Sequence, residues 1–241
     1  HHLIEIKSCV IAKKEINKVI DNIELLNLKN GLLTIRCNTN NEILLSIESE
    51  EKNYNIELEK LKKIIKLVGI VYNNKLLYGE NFFYERIYGM LFKVSFNSFF
   101  QVNHFITEEL FQLIDANIDK NSTVLDLYSG VGTLGLVASK KASEVISVEI
   151  IENAVKNGIV NAKLNHANNI KFLLGDVSHT VKKLNKQFDT LIVDPPRKGL
   201  DKNTIEFIKE SKVNKIIYVS CDMFTLMRDL KSLEELYKIK E

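Results

Sequence analysis

The sequence predicts an α/β fold, with a Rossmann-like doubly wound parallel sheet preceded by a smaller α+β domain. Two patterns lead to this prediction. From residue 104 onward, short apolar runs of strand length alternate strictly with segments of helical periodicity, as in parallel sheets joined by crossover helices. Before residue 104, helices and strands are mixed without that alternation. The 241 residues are enough for both parts.

The first region, residues 1–103, is predicted to be an α+β domain. Its apolar spacing indicates two amphipathic helices, and two apolar runs flank the polar tetrapeptide 38–41 as in a β-hairpin. The predicted helices are 12–26 and 56–67, and the predicted strands are 32–37, 42–47, 68–72, 84–88 and 91–94.

The second region, residues 104–241, is predicted to be the parallel-sheet domain. Its predicted helices are 104–117, 132–140, 151–164, 202–210 and 222–231, and its predicted strands are 123–127, 144–149, 169–173, 189–193 and 215–219. Ligands of doubly wound sheets bind in the crevice at the carboxyl ends of the strands. Candidate site residues are therefore sought directly after each strand.

Composition restricts the cellular context. The chain has no run of about 18 uncharged apolar residues and no signal peptide, so we expect a cytoplasmic protein without a membrane partner. Its 3 cysteines are widely spaced, which favours a reducing compartment over a disulfide framework. The net charge of +2 does not by itself indicate a nucleic-acid partner. We expect a monomer.

A glycine turn follows the first strand of the parallel sheet. Gly130 and Gly132 allow a tight turn and close approach of a ligand to backbone amides at a helix N-terminus. Gly135 completes the spacing that dinucleotide enzymes use, so the glycines alone leave a dehydrogenase open. Glu149 ends the second strand, where a carboxylate can accept ribose hydroxyls. Asp176 follows the third strand and could accept from an adenine amino group, and with Asp126 the set indicates an adenosine pocket.

The fourth strand ends in Asp194-Pro195-Pro196, and the chain has no other proline. Proline fixes φ and removes a backbone donor, so the chain leaves the sheet rigidly and holds Asp194 at its rim. The fifth strand is followed directly by Cys221. An average cysteine is a small buried apolar residue, but this position at the rim also suits a nucleophile.

Together these segments resemble the RNA uracil-5-methyltransferase family over residues 4–240. The matching segments are 98–103 (Ser-Phe-Phe-Gln-Val-Asn), 126–132, Glu149, 194–200 and 220–222. The resemblance implies S-adenosyl-L-methionine as cofactor and RNA as partner. It implies contacts to the cofactor or the uracil by Gln101, Tyr128, Gly130, Glu149, Asp176 and Asp194, and it implies that Cys221 is the catalytic nucleophile.

The chemistry requires such a nucleophile. C5 of uracil is a poor nucleophile, and a thiolate that adds at C6 converts the ring to an enolate that can attack the sulfonium methyl. The helix predicted to begin near Asp222 favours the thiolate of Cys221 through its dipole. In the family, a glutamate beyond a strand expected near Tyr237 removes the C5 proton. We expect that base to lie beyond residue 241, so Glu241 is not assigned the role.

The resemblance also suggests that the chain is truncated at both ends, without the last strands of the sheet and without the upstream RNA-binding barrel. Cys9 matches the last cysteine of an iron–sulfur cluster in some members. A cluster needs four ligands, so it would exist only in a longer parent chain. No metal is expected in this chain. Cys37, in the middle of a predicted strand, is interpreted as a core residue.

RNA contact would use aromatic and basic side chains. Phe99 and Phe100 beside Gln101 are candidates for stacking on an extruded base, ahead of the more distant group Phe82, Phe83, Tyr84 and Tyr88. Arg197 and Lys198 could meet phosphate. Lys60, Lys62, Lys63 and Lys66 form a basic face on a helix, for which an ordinary charged surface is the favoured interpretation. We expect domain 1–103 to face RNA.

Ribosomal RNA of the 23S class is favoured over transfer RNA by the overall resemblance. Two alternatives remain at the level of sequence. One is an amino-group methyltransferase, which shares the Asp-Pro-Pro turn and needs no thiol. The other is a fragment that binds cofactor or RNA without turnover.

Overall fold

The computed structural model describes residues 6–51, 55–101 and 103–240. The chain divides into two compact units. One contains the described residues up to Arg86 together with Lys93–Asn97, and the other contains Ile87–Phe92 and the described residues from Ser98 onward. The predicted division into domains 1–103 and 104–241 stays a prediction. No helix in the described ranges is long and apolar enough to cross a membrane.

The first unit is built around a mixed four-stranded sheet of order β1-β2-β3-β4. β1 and β2 form an antiparallel hairpin, β3 runs parallel to β2, and β4 runs antiparallel to β3. Fully buried residues of β2 (Ile43, Leu45, Ile47) form the centre of its core. The elements are α1 (Lys14–Asp21), β1 (Leu32–Cys37), β2 (Glu42–Glu48), α2 (Leu58–Ile64), β3 (Lys66–Tyr72) and β4 (Lys75–Gly79). A further pair, β5 (Phe82–Ile87) and β6 (Met90–Ser95), forms a two-stranded sheet.

Three details of this unit differ from the sequence prediction. The first helix ends at Asp21 and continues as a 3₁₀ turn, Ile23–Leu26. α2 ends at Ile64 instead of continuing to residue 67, because Lys66 and Leu67 pair with β2. β4 was not predicted, although the sequence contains a turn signal before it. A two-residue hairpin turn requires positive φ, which asparagine tolerates, and Asn73 and Asn74 both have positive φ.

The second unit is a five-stranded parallel sheet of order β11-β10-β7-β8-β9. This confirms the Rossmann-like α/β prediction. The chain moves outward from β7 through β8 to β9, then returns to the other side of β7 with β10 and β11. The strand order therefore reverses between β7 and β10. The strands are β7 (Thr123–Leu127), β8 (Glu144–Glu149), β9 (Ile170–Leu174), β10 (Thr190–Val193) and β11 (Lys215–Tyr218).

Helices cover this sheet and agree with the sequence prediction within two residues at each end. They are α3 (His104–Asn117), α4 (Thr133–Ser139), α5 (Glu152–Leu164), α6 (Val177–Thr180), α7 (Lys202–Ser211) and α8 (Met223–Leu233). The four-residue α6 was not predicted, since it is too short to show a helical period. Buried Leu125, Leu127, Val148, Leu191 and Val193 form the centre of the core. Parallel strands covered on both faces need such continuous apolar runs.

The strand expected near Tyr237 is not formed within the described residues. Residues 237–240 have no regular structure. Tyr237 instead packs against the core of the parallel sheet, and its hydroxyl donates to the Ile208 carbonyl oxygen at 3.4 Å. The described residues of this segment thus contact α7 through the Tyr237 side chain.

Candidate functional site at the carboxyl edge of the parallel sheet

The register of the sheet brings several predicted site residues to one edge. Val193 pairs with Leu127 on one side and with Tyr218 on the other, and Leu127 pairs with Val148. Because the strands are parallel, the residues that follow them lie at the same edge. These residues are Tyr128, Glu149, Asp194 and Val219. The reversal of strand order between β7 and β10 lies in their midst, where doubly wound folds bind ligands.

The glycine turn connects β7 to α4. Gly130 has φ +56° and Gly132 has φ +84°, both in the left-handed region. A Cβ at Gly132 would lie 2.6 Å from the Phe172 ring, whereas a Cβ at Gly130 would meet nothing within 4 Å. Tyr128, at the start of the turn, also has a positive φ of +62°, which costs a non-glycine residue roughly 1–2 kcal/mol. The turn is therefore strained, and the space beside Gly130 is open.

Glu149 is bonded to the glycine turn. One of its carboxylate oxygens accepts from the Gly130 amide at 2.8 Å, and the other accepts from the Ile151 amide at 2.8 Å. The side chain is 8% exposed. A carboxylate has about four acceptor positions, so Glu149 keeps capacity for further donors such as ribose hydroxyls. This geometry is compatible with its predicted role.

Asp126 is a buried acid in the strand that precedes the turn. Its side chain is 1% exposed, and Oδ2 accepts from the Ser147 hydroxyl at 3.0 Å. Oδ1 has no hydrogen-bond partner within the described part of the chain. The pKa of Asp126 is raised to about 7, chiefly by burial; the hydrogen bond from Ser147 opposes this shift, and the charges of Asp194 and Glu149 act in the same direction as burial. At the edge itself, burial raises the pKa of Asp194 to about 6.

Cys221 is exposed and has no disulfide partner. The backbone leaves β11 through Val219, whose amide donates to the Val193 carbonyl oxygen at 2.8 Å. Cys221 then stands one residue before Asp222, whose side chain accepts from the Thr225 amide at 2.9 Å and caps α8. Cys221 thus lies between the end of β11 and the N-terminus of α8, and its role as nucleophile stays a prediction. The thiol is not sealed in the interior.

The remaining predicted residues are not all directed at this edge. The Tyr128 hydroxyl lies 3.3 Å from Asp201 Oδ2 and 3.3 Å from Thr204 Oγ1, both at the start of α7. Asp176 caps α6, and its Oδ1 accepts from the amide and ring nitrogen of His179. Gln101 is half-buried in an irregular segment before α3. Tyr128 and Asp176 thus have local partners, and the predicted ligand contacts of all three residues stay predictions.

The aromatic and basic candidates also separate into groups. Phe99 is 68% exposed, whereas Phe100 packs on the buried Phe92 with ring centroids 5.6 Å apart. Arg197 and Lys198 are exposed. On α2, Lys60 and Lys62 pair with Glu57 and Glu59, and Lys66 of β3 pairs with Glu42. These ion pairs favour an ordinary charged surface for the lysine group.

Cys9 and Cys37 are free, half-buried thiols. Cys37 packs against the core of the first unit, as predicted. Within the described ranges, no group of three or more His, Cys, Asp or Glu side chains could hold a metal ion.

A family model described as tRNA (Uracil-5-)-methyltransferase matches residues 3–241. The chain belongs to this family. The resemblance noted in the sequence is thereby confirmed. An uncharacterized RNA methyltransferase of Clostridium acetobutylicum is 39% identical over 209 residues, covering 83% of this chain and 45% of the relative. Another from Fusobacterium nucleatum is 33% identical over 273 residues, covering 98% of this chain and 59% of the relative. The chain thus spans about half the length of these relatives.

A solved structure of this family has the same fold. It is the Pyrococcus abyssi tRNA (uracil-54, C5)-methyltransferase in complex with S-adenosyl-L-homocysteine, with a TM-score of 0.81 and 24% identity. The superposition covers 100% of this chain and 65% of that chain. At this identity, the likeness supports the fold of the family member described here.

Sequence reasoning missed three polar contacts around this family site. They are the hydrogen bond from Ser147 to Asp126, those between Tyr128 and the Asp201–Thr204 pair, and the one that Asp229 accepts from Leu200 in the loop after Pro196. Asp201 carried a detectable signal, since an acid directly before a helical period is typical of an N-cap. Ser147 and Asp229 carried none, because a polar residue in a strand or helix is usually solvated.

Proposed function

We propose that this chain methylates C5 of uracil in RNA, with S-adenosyl-L-methionine as methyl donor and Cys221 as the covalent nucleophile. The observation that carries the proposal is the shared sheet edge. An exposed cysteine at a helix N-terminus, a half-buried carboxyl at Asp194 and an open glycine turn follow neighbouring parallel strands at the reversal of strand order. Family membership supports the same chemistry.

The residues of the glycine turn fit an adenosine-containing cofactor. The space beside Gly130 is open, and the buried Asp126 has an acceptor oxygen without a partner in the described chain. Gly130 and Glu149 would hold the cofactor at this turn, and the resemblance adds Gln101, Tyr128, Asp176 and Asp194. When bound, S-adenosyl-L-methionine supplies a methyl group on a positively charged sulfur.

Cys221 would act on the base. Its thiolate forms a bond to C6 of uracil, and the electron pair of the C5–C6 double bond moves toward the O4 carbonyl, which makes C5 nucleophilic. The dipole of α8 favours the thiolate form of a cysteine at this position. Asp194 would border the uracil ring. Once C5 carries the methyl group, a base takes the C5 proton, the electron pair of that C–H bond re-forms the C5–C6 double bond, and the C6–S bond breaks to restore the thiolate. We expect that base beyond residue 241.

A uridine analogue with fluorine at C5 tests this mechanism. No proton can then leave C5, so the adduct persists and is visible as a protein–RNA band on a denaturing gel. We expect capture of 5-fluorouridine RNA by the wild-type chain with cofactor present. Cys221→Ala should give no band while the cofactor Kd changes by no more than a few fold. Cys37→Ala is the matched control and should retain capture.

Each alternative gives a different pattern of results. An amino-group methyltransferase would methylate RNA without forming a lasting adduct. A fragment that lacks only the base could still form the 5-fluorouridine adduct, so it is recognised by cofactor binding in a titration together with no release of methylated product from ordinary uridine RNA. Loss of cofactor binding in Cys221→Ala would show that Cys221 is structural and would contradict the proposal.

The RNA class is the finer part of the proposal. We propose 23S ribosomal RNA, as inferred from the sequence, with transfer RNA as the competing substrate because it is named for the family and for the Pyrococcus abyssi protein. Parallel capture assays with 5-fluorouridine transcripts of both classes decide between them. Preferential capture of transfer RNA would overturn the ribosomal assignment and leave the Cys221 mechanism intact.

A further inference from the structure

Asp229 is a buried carboxylate on α8, at some distance along the helix from Cys221. Its side chain is 2% exposed. Oδ2 accepts from the Leu200 amide at 2.7 Å and from the Tyr218 hydroxyl at 2.7 Å, and Oδ1 accepts from Arg228 Nε at 2.9 Å and Nη2 at 2.7 Å. All four acceptor positions of the carboxylate are therefore used. Asp229 connects a loop, a strand and a helix.

The loop that Asp229 contacts follows β10 and begins with Asp194 and the two prolines. Arg228 Nη2 donates to the Lys198 carbonyl oxygen at 2.8 Å, and the Thr225 hydroxyl donates to the Arg197 carbonyl oxygen at 3.1 Å. Thr225, Arg228 and Asp229 have the i, i+3, i+4 spacing of one helix face. We call these three residues together with Tyr218 the α8 cluster.

The fit between loop and cluster is close. Gly199 has φ +75°, and a Cβ there would lie 2.5 Å from both Arg228 Nη2 and Asp229 Oδ2. Only glycine can pass this point without displacing the cluster. The two prolines before it restrict the backbone between Asp194 and residues 197–200, so contacts on residues 197–200 limit the positions open to the Asp194 loop. The helix that carries this face begins two residues after Cys221, with Asp222 as its cap.

We infer that Asp229 and Arg228 are positioning residues, which set the separation between the Asp194 loop and the Cys221 turn so that both groups can meet one pyrimidine ring. This inference rests on the proposed function. Neither residue belongs to the sheet edge, and neither is expected to touch RNA or cofactor. A small misplacement of reacting groups can reduce a rate strongly, so the hydrogen bonds of Asp229 and Arg228 can affect the rate without touching the substrate.

The test compares the rate of covalent capture with cofactor affinity and thermal stability. The variants are Asp229→Asn and Arg228→Ala, and all rates are measured on 5-fluorouridine RNA at saturating S-adenosyl-L-methionine. We expect both variants to slow capture by about tenfold or more while the cofactor Kd changes little. Arg228→Lys, which keeps a charge and a donor, should recover part of the lost rate. If Asp229→Asn does not fold, Tyr218→Phe is used instead. It removes only the hydrogen bond from the Tyr218 hydroxyl to Asp229, and we expect a smaller reduction of the capture rate.

The control is Asp189→Asn, which alters an exposed carboxylate at the opposite edge of the sheet. Asp189 Oδ2 accepts from the Thr123 amide at 2.7 Å and from its hydroxyl at 2.8 Å, so it also joins neighbouring strands. We expect Asp189→Asn to lower stability without slowing capture. If the capture rate falls in proportion to the loss of stability in both Asp189→Asn and Asp229→Asn, the α8 cluster has only a structural role and the inference is overturned. A wild-type chain that captures no RNA would instead overturn the proposed function, and this inference with it.

Discussion

The paired glycines of the turn after β7 allow a sharp test of the site geometry. Gly130 and Gly132 both have left-handed φ, at +56° and +84°. An alanine at either position carries the same backbone strain, roughly 1–2 kcal/mol. At Gly132 the added methyl would also lie 2.6 Å from Cε1 and Cζ of Phe172, whereas at Gly130 it meets nothing within 4 Å. The two variants therefore differ by a single steric contact.

The magnitude follows from that contact. Overpacking of this kind costs about 1–3 kcal/mol, so Gly132→Ala should lose about 2–5 kcal/mol of the free energy of unfolding in total and Gly130→Ala about 1–2 kcal/mol. Urea unfolding monitored by circular dichroism measures both losses. Because the Phe172 ring is the obstacle, Phe172→Leu, which lacks the Cε and Cζ atoms, should relieve the excess.

A double-mutant cycle isolates this term. The loss caused by Gly132→Ala should be smaller by about 1–3 kcal/mol in the Phe172→Leu background than in the wild-type background. The loss caused by Gly130→Ala should be the same in both backgrounds. Equal losses for the two glycine variants, or an unchanged loss at Gly132 after Phe172 is replaced, would refute the described packing of the turn.

Two further predictions concern stability. Burial raises the pKa of Asp126 to about 7 and that of Asp194 to about 6. Both carboxyls therefore bind protons more tightly in the folded chain than in the unfolded chain. Their contribution to the free energy of unfolding is complete below about pH 4, the ordinary pKa of an aspartate, and is lost as pH rises through 6 and 7. Asp126→Asn mimics the protonated acid and should therefore gain on the order of 2 kcal/mol relative to wild type between pH 5 and pH 8; an unchanged difference in urea midpoints would exclude a buried titrating Asp126. Asp201 caps α7 by accepting from the Thr204 amide at 3.0 Å, so Asp201→Ala should cost about 1 kcal/mol by the same assay, and Asp201→Asn, which can still cap, should cost much less. A loss of equal size in both Asp201 variants would assign the effect to the charge and not to the cap.

Much of the architecture was predictable because its signals are local. The alternation of apolar runs with helical periods gave the strands and helices of the parallel sheet nearly to the residue. The turn residues Gly130, Gly132, Pro195 and Pro196 stand directly after strands, and the ends of parallel strands share one edge. For the same reason, the exposed position of Cys221 before α8 could be expected from residues 215–231 alone.

Tertiary structure decided what depends on residues far apart in the sequence. The pairing of Asp229 with Leu200 and Tyr218, and of Tyr128 with Asp201, has no local signature, because hydrogen bonds between elements depend on how those elements pack. The end of α2 at Ile64 has the same origin, since strand pairing with β2 outweighs the helical period of residues 65–67. The sequence by itself thus determined the elements and the edge where chemistry is expected, through periodicity and turn residues. Only the folded chain decided which buried polar groups hold that edge in place, because burial makes each of them require a partner.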